Sequence, residues 1–295
     1  MATGKKPSRS SPSATRRGRG QPPKRRQGPG IQFPDGIAVV DRPVLGQRRP
    51  VELPQRYYNF SFIMAHFPAP IWGVRKLLPD DEDLVPIEIV PGLAIVSLAA
   101  FEYRKMATLA PYNEVAVMVP VRHRPETRIP LLPLLWPDEF EVAFWVHHLP
   151  VTTQEACAAG LGIWNLPKVV ADIRFEDVGW MRHCSLREDG QDVLTLSSRI
   201  DETRFDARAF YALSIQRGKL LRSLVDTQAE YHAWFTPGGA SFTLGTHPRA
   251  RQLRSVGMWN IAVAGLYASS ARSRLHPGVV LSRGRGPSAG GRKRR

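Results

Sequence analysis

Lys168 is the residue whose surroundings in this sequence could change its chemistry. It lies in the apolar run AAGLGIWNLPKVVADI, residues 158–173, directly after Pro167 and before Val169. Burying a lysine as a cation is costly, so the head group normally reaches water. A free lysine has a pKa of about 10.4, so roughly 1 in 2,500 is neutral at pH 7, and an apolar pocket raises that fraction. The run therefore predicts either a lysine that reaches solvent or a buried amine that acts as a nucleophile.

A neutral lysine amine can add to a ketone and form an imine. The protonated imine withdraws electrons from the neighbouring carbon, so that a β-carboxylate can leave as CO₂ or an α-proton can leave. Glu114 is the candidate for moving protons. In NEVAVMVPV, residues 113–121, alternation places the four valines on one face and Glu114 on the other face with Ala116 and Met118. A carboxylate on an apolar face predicts either a proton-transfer group or an ion pair with an arginine.

Two motifs together resemble the acetoacetate decarboxylase superfamily. They are PYNEV at 111–115 and HHLPVTTQEACAAGLGIWNLPK at 147–168, within a similarity that covers roughly residues 50–280. The resemblance implies that Lys168 of the Pro-Lys pair forms the Schiff base. It also implies that Glu114, which follows a tyrosine and one further residue, is the active-site glutamate.

The resemblance implies a substrate pocket as well. Arg56, just before YYNFSF, is the positional match for an arginine that holds the substrate carboxylate, and a surface ion pair is its alternative role. Tyr112 and Trp164 are the further candidates for substrate contact, although Trp164 would equally suit the core. No cofactor and no metal ion is expected for imine chemistry of this kind.

Three departures from the superfamily pattern bear on the substrate. Val169 stands where acetoacetate-specific members have a second lysine, Leu161-Gly162 replaces an Arg-Glu pair, and AIVSLAA lacks a second glutamate. We therefore expect a Schiff-base-forming lyase that decarboxylates a small β-keto acid. Aldol or dehydration chemistry on a keto acid through the same imine remains an alternative, as does a non-catalytic domain that binds a small ligand.

The net charge of +15 over 295 residues belongs to the two ends of the chain. Residues 1–30 hold nine basic residues and no acidic one, and residues 272–295 hold eight and none, so the middle is close to neutral. We expect residues 1–36 and 282–295 to be disordered, because their Gly, Pro, Ser and Arg content cannot form a core. The tails could make weak contacts with nucleic acid or an anionic surface.

Residues 37–281 should form one strand-rich α+β domain with short helices, and the resemblance implies a mostly antiparallel β barrel or cone that forms homo-oligomers. Strand patterns include 56–67, 84–103, 113–121 and 140–151, and Asp189-Gly190 predicts a hairpin turn. Thr152 with Glu155 predicts the start of a helix that ends at the glycines near residue 160.

Two cysteines allow neither a disulfide framework nor a zinc site, which favours a reduced, cytoplasmic protein. No signal peptide or transmembrane segment is predicted. His147 and His148 are adjacent on a predicted strand, so strict alternation would point them to opposite faces and disfavour a shared metal ion.

Overall fold

The structure is a computed structural model that describes Met1 and residues 38–44, 47–126, 129–135 and 139–281. The two tails predicted to be disordered, residues 1–36 and 282–295, lie outside the described residues except for Met1. The strands are β1 (Ala38–Val44), β2 (Gln47–Leu53), β3 (Gln55–Pro70), β4 (Leu84–Pro86), β5 (Glu88–Val90), β6 (Leu93–Met106), β7 (Tyr112–His123), β8 (Ala143–Val151), β9 (Lys168–Val170), β10 (Asp172–Val178), β11 (Met181–Glu188), β12 (Gln191–Arg199), β13 (Arg204–Gln216), β14 (Lys219–Trp234), β15 (Ala240–Leu244), β16 (Ala264–Leu275) and β17 (Val279–Val280).

The helices are short. They are α1 (Ile71–Val74), α2 (Leu132–Leu135), α3 (Gln154–Trp164) and α4 (Pro248–Val256), with a single 3₁₀ turn at Arg75–Leu77 after α1. The helical segment between β3 and β4 is thus divided between α1 and the 3₁₀ turn, and it ends before Pro79. None of the helices in the described ranges is long and apolar enough to cross a lipid bilayer.

Seven strands close into a barrel. The pairing runs β7-β6-β3-β16-β14-β13-β8, and β8 pairs again with β7. Every pairing in the ring is antiparallel except that of β8 with β13, which is parallel over Ala143–Trp145 and Tyr211–Leu213. The strand-rich, mostly antiparallel barrel expected from the sequence is confirmed.

The two faces of β7 show how the sequence divides the core. The valines predicted to share a face belong to the apolar cluster on the outside of the barrel, where a smaller sheet of order β10-β11-β12-β15 packs. Ala116 and Met118, on the other face with Glu114, belong to the apolar cluster inside the barrel. The period-two pattern of residues 113–121 therefore separates the barrel interior from the layer between the two sheets.

Helix α3 differs from its prediction at both ends. Its N-cap is Thr153, whose Oγ1 accepts a hydrogen bond from the amide of Ala156 at 3.3 Å. The hydroxyl of Thr152 accepts instead from the amide of Asn113 at 2.9 Å, because β8 continues its approach to β7 at this point. The helix runs through both glycines to Trp164, and its C-cap residue Asn165 adopts the left-handed conformation with φ 50°.

Two pairs of consecutive strands are joined by hairpin turns of the same kind. ALSIQRGKLLRSLV forms the ends of β13 and β14, joined at Arg217-Gly218, where both residues have positive φ. The predicted turn at Asp189-Gly190 joins β11 to β12 with the same signature, φ 48° and 73°. Positive φ at both central residues is typical of a type I′ hairpin turn.

The β13–β14 ribbon extends beyond the barrel. All of β13 pairs with β14, whereas β8 pairs only with Tyr211–Leu213 of β13. Residues 204–210 of β13 therefore have β14 as their single neighbouring strand within the described part of the sheet, and residues 204–209 are exposed on both faces.

His66 on β3 gives the fold a specific sensitivity to acid. Its Nδ1 lies 2.8 Å from the hydroxyl of Ser97 on β6, and burial lowers the pKa of its imidazole to about 4. Between pH 6.5 and 4 the unfolded chain therefore takes up a proton that the folded chain does not, so stability falls as the pH falls.

We expect this histidine alone to reduce the free energy of unfolding by about 2 kcal/mol between pH 7 and pH 5. Urea unfolding of the wild type and of His66→Asn at both pH values measures the effect. The variant should lose less stability than the wild type over this interval, and equal losses would contradict the assignment.

Candidate active site

The interior of the barrel contains a cavity of about 100 Å³. Each of the seven barrel strands contributes at least one side chain to its wall, and most of these side chains are apolar or aromatic. The polar side chains of the wall are Tyr57, Tyr103, Glu114, Lys168, Thr227 and Ser273. The cavity therefore encloses very few polar groups in an otherwise apolar space.

Lys168 and Glu114 meet at one side of this cavity. Lys168 Nζ donates a hydrogen bond to Glu114 Oε2 at 2.7 Å, and the exposed fractions of the two side chains are 6% and 8%. Glu114 lies on β7 opposite Phe101 of β6 and Val151 of β8. Lys168 begins β9, which pairs in parallel with β8 next to Leu149. The two residues are 54 positions apart in the sequence, and the position of β8 between their strands brings them together.

Gly160 makes room for the lysine side chain. A Cβ atom at this position of α3 would lie 2.4 Å from Lys168 Cδ and 2.6 Å from Cε, far inside van der Waals contact. The chain returns from α3 to β9 through hydrogen bonds from the Leu166 amide to the Gly160 carbonyl and from the Lys168 amide to the Leu166 carbonyl. The aliphatic part of the Lys168 side chain therefore packs against the α3 backbone at Gly160, and its Nζ reaches Glu114.

Three tyrosines surround the ion pair. The Tyr103 hydroxyl donates to Glu114 Oε1 at 3.4 Å, and Lys168 Nζ lies 5.3 Å from the centre of the Tyr112 ring. Burial, together with the negative charge of Glu114, raises the pKa of Tyr57, Tyr103 and Tyr112. These phenols stay protonated at neutral pH. Tyr57 and Tyr103 line the cavity, so their hydroxyls can donate toward it, whereas Tyr112 does not line it and its buried hydroxyl has no hydrogen-bond partner among the described residues.

The structure brings together some of the residues proposed from the sequence and separates others. Lys168, Glu114 and Tyr112 are neighbours, but Tyr112, proposed as a substrate contact, is not part of the cavity wall. Trp164 is 3% exposed and packs in the core, where its Nε1 donates to the His276 carbonyl at 2.9 Å. It is not part of the cavity wall.

Arg56 is not brought to the site. It is exposed on β3 and pairs in register with Arg274, whereas the adjacent Tyr57 is buried and lines the cavity. Successive residues of a strand point to opposite faces, and this parity directs the tyrosine inward and the arginine outward. Sequence reasoning missed Tyr57 and Tyr103. The pairing of Tyr103 with Tyr112 in adjacent strands, which places Tyr103 beside Glu114, depends on a register that the sequence alone does not show.

His147 and His148 do not follow the alternation assumed for them. A register shift opposite Val117 and Met118 interrupts the β7–β8 ladder at this pair. His147 Nδ1 lies 2.8 Å from the Leu77 carbonyl, and His148 Nε2 lies 2.6 Å from Glu188 Oε1. Each ring thus has its own partner, and in the portion of the chain that the structure describes no group of three or more His, Cys, Asp or Glu side chains could hold a metal ion.

The sequence matches the family model for acetoacetate decarboxylase over residues 41–283. The chain belongs to the acetoacetate decarboxylase family. No curated protein matches the sequence.

Solved structures share this fold at low sequence identity. An acetoacetate decarboxylase from Legionella pneumophila is 16% identical, with a TM-score of 0.56 over 85% of this chain and 93% of that chain. The enduracididine biosynthesis enzyme MppR, in complex with the condensation product of pyruvate and imidazole 4-carboxaldehyde, is 15% identical. Its TM-score is also 0.56, over 84% of this chain and 99% of that chain.

Proposed function

We propose that this family member is a cofactor-independent, Schiff-base-forming lyase that decarboxylates a small β-keto acid. The observation that carries the proposal is the 2.7 Å contact of Lys168 Nζ with Glu114 Oε2 inside an apolar cavity. Such a pair supplies both a nucleophilic amine and a group that can take its proton. Membership of the acetoacetate decarboxylase family supports the same chemistry.

Lys168 reacts as the free amine. Glu114 accepts a proton from the ammonium across their hydrogen bond, and the amine then adds to the substrate carbonyl. Glu114 returns this proton to the carbinolamine hydroxyl, and loss of water gives the iminium ion. The bond to the β-carboxylate breaks, its electron pair moves to the iminium nitrogen, and CO₂ and an enamine result. Glu114 takes up a proton from water and transfers it to the enamine carbon, and water hydrolyses the resulting iminium to release the ketone and regenerate the Lys168 ammonium.

The apolar wall favours the step in which CO₂ leaves. Before this step the site holds a carboxylate and an iminium cation, and afterwards it holds two neutral groups. Charges are poorly stabilised in apolar surroundings, so the cavity destabilises the reactant relative to the products. Tyr103 keeps Glu114 in place by donating to its second oxygen.

A second candidate is carbon–carbon bond formation or dehydration through the same imine. A protein of this fold has been solved with pyruvate and with a pyruvate condensation product, which supports this alternative. Here the iminium would lose an α-proton to Glu114, and the enamine would attack an aldehyde. Release of CO₂ from a β-keto acid distinguishes decarboxylation from this reaction.

A third candidate is a domain that binds a small ligand without reacting. The ion pair itself favours it, because an ammonium held by a carboxylate is not a nucleophile.

Borohydride trapping tests the proposed function. We expect that incubating the protein with acetoacetate or another small ketone in the presence of borohydride gives a stable secondary amine at Lys168, located by mass spectrometry of peptides. The protein treated with borohydride alone is the control for modification without an imine. If no member of a ketone and keto-acid panel modifies Lys168, the imine mechanism fails and the binding domain is favoured.

A further inference from the structure

Two hydroxyl groups line the cavity without a protein partner. Thr227 of β14 and Ser273 of β16 are paired in register on adjacent strands, and both side chains belong to the cavity wall. Ser273 is 8% exposed, and neither hydroxyl has a hydrogen-bond partner among the described residues. Buried polar groups are normally hydrogen-bonded, so this hydroxyl pair is available to donate to a polar group of a molecule in the cavity.

The hydroxyl pair lies across the barrel from Glu114 of β7 and from Lys168, which β9 holds beside β8. Around the ring of seven strands, β16 is three strands from β7 in one direction and three strands from β8 in the other. Tyr57 of β3 pairs in register with Ser273. Its ring centre is 4.7 Å from that of Tyr103, whose hydroxyl donates to Glu114. The hydroxyl pair and the amine therefore face the same space at the same level of the barrel.

We propose that the hydroxyl pair of Thr227 and Ser273 binds the carboxylate that leaves as CO₂ in the reaction at Lys168. This inference rests on the proposed function. The described part of the wall contains one cation, Lys168, and Glu114 already pairs with it. Hydroxyl groups donate short, strong hydrogen bonds to a carboxylate. The cavity of about 100 Å³ is of the same order as the roughly 150 Å³ apolar cavity known to take benzene, so a small keto acid bonded to the lysine reaches the opposite wall.

Uncharged donors suit this step better than an arginine would. The bond that breaks must stand across the plane of the iminium ion so that its electron pair can enter the π system, and two donors on adjacent strands fix that orientation. A guanidinium would also stabilise the negative charge of the reactant, which the products lack, and would raise the barrier. Arg56, the arginine suggested for this role by the sequence, is outside the cavity wall. The hydroxyl groups therefore position the carboxylate without neutralising it.

Variants that remove the hydroxyl groups but keep their approximate volume test the proposal. We expect Thr227→Val/Ser273→Ala to lower kcat/KM for CO₂ release from acetoacetate by about tenfold or more, because hydrogen bonds to a charged group are lost. Thr227→Ser, which keeps the hydroxyl, should retain more of this activity than Thr227→Val. Borohydride trapping of acetone at Lys168 involves no carboxylate, so it should not fall with CO₂ release. Equal losses of both, or unchanged CO₂ release, would contradict the inference.

Binding of an unreactive acid separates this inference from the imine mechanism. 3-Hydroxybutyrate and butan-2-ol differ in a terminal carboxylate against a terminal methyl group, and neither can form an imine. Ligand-observed NMR should show that the wild-type protein binds 3-hydroxybutyrate more tightly than butan-2-ol, and that Thr227→Val/Ser273→Ala loses this preference.

Each outcome of the binding experiment decides one proposal. If the preference is found and lost as expected while no ketone is trapped at Lys168, the carboxylate site is supported and the imine mechanism is contradicted. If the wild type binds butan-2-ol as well as 3-hydroxybutyrate, or if the variant keeps the preference, the hydroxyl pair is not the carboxylate site, whatever the trapping result. Thr227→Val alone gives the same comparison if the variant with both substitutions does not fold.

Discussion

Replacing Lys168 with methionine should lower the free energy of unfolding by about 3–5 kcal/mol, because it leaves the buried Glu114 carboxylate without its cation. Lys168 and Glu114 are both almost fully buried, and each is the charged partner of the other. Adding Glu114→Gln to the same chain removes the orphaned charge. Replacing a buried ion pair by uncharged groups of similar volume is often neutral or stabilising.

We therefore expect the double variant Lys168→Met/Glu114→Gln to recover most or all of the lost stability, while neither protein forms a trapped adduct. Urea unfolding at pH 7 and borohydride trapping measure the two effects separately, and Glu114→Gln alone completes the double-mutant cycle. A double variant as unstable as the single one would mean that the pair is retained for the fold. If the double variant recovers its stability, the ion pair is not required for the fold, as expected for a pair whose role is chemical.

Gly160→Ala should slow the trapping of ketones by about 100-fold, because a displacement of the reacting atom by about 1 Å can have an effect of this size. The new Cβ would occupy the space of Lys168 Cδ and Cε. The lysine stem is flexible, so it can move aside while the helix and the barrel remain folded. The consequence is a shift of Nζ away from Glu114 and from the substrate.

Gly162→Ala is the matched control for this variant. It adds the same methyl group to α3 at a position about 200° further around the helix. We expect trapping rates close to those of the wild type and a small gain in stability from the better helix propensity of alanine. Trapping by Gly160→Ala at the wild-type rate would show that the close approach of Gly160 to Lys168 has no part in positioning the amine.

The local patterns of the sequence predicted those parts of the structure that depend on neighbours along the chain. Alternation in residues 113–121 placed Glu114 on the face opposite the valines, which is the interior face of β7 in the structure. The apolar run around Lys168 predicted either a buried amine or a lysine that reaches solvent, and the structure has the buried amine. The hairpin at Asp189-Gly190 follows from residues that favour positive φ. The family resemblance joined Glu114 and Lys168 in one site before any distance between them was known.

The remaining features depend on pairings between distant segments. Arg56 was proposed for the site because of its position in the sequence. The pairing of β3 with β6 and β16 determines which of its side chains face the barrel interior, and Tyr57 faces inward instead of Arg56. The end of α3 was placed at its glycines, which normally weaken a helix. Gly160 is tolerated within the helix because the lysine stem from β9 packs against it, and no local rule indicates that contact.

The ribbon of β13 and β14 has a consequence for how the protein behaves at high concentration. Beyond the contact with β8, the outer backbone of β13 has no described strand beside it, and such an open edge can recruit strands from other molecules. Arg204, Asp206 and Arg208 occupy every second position along this edge, and charged side chains there discourage uncontrolled stacking of chains. We therefore expect the charges of this short segment to oppose aggregation through the open edge of β13.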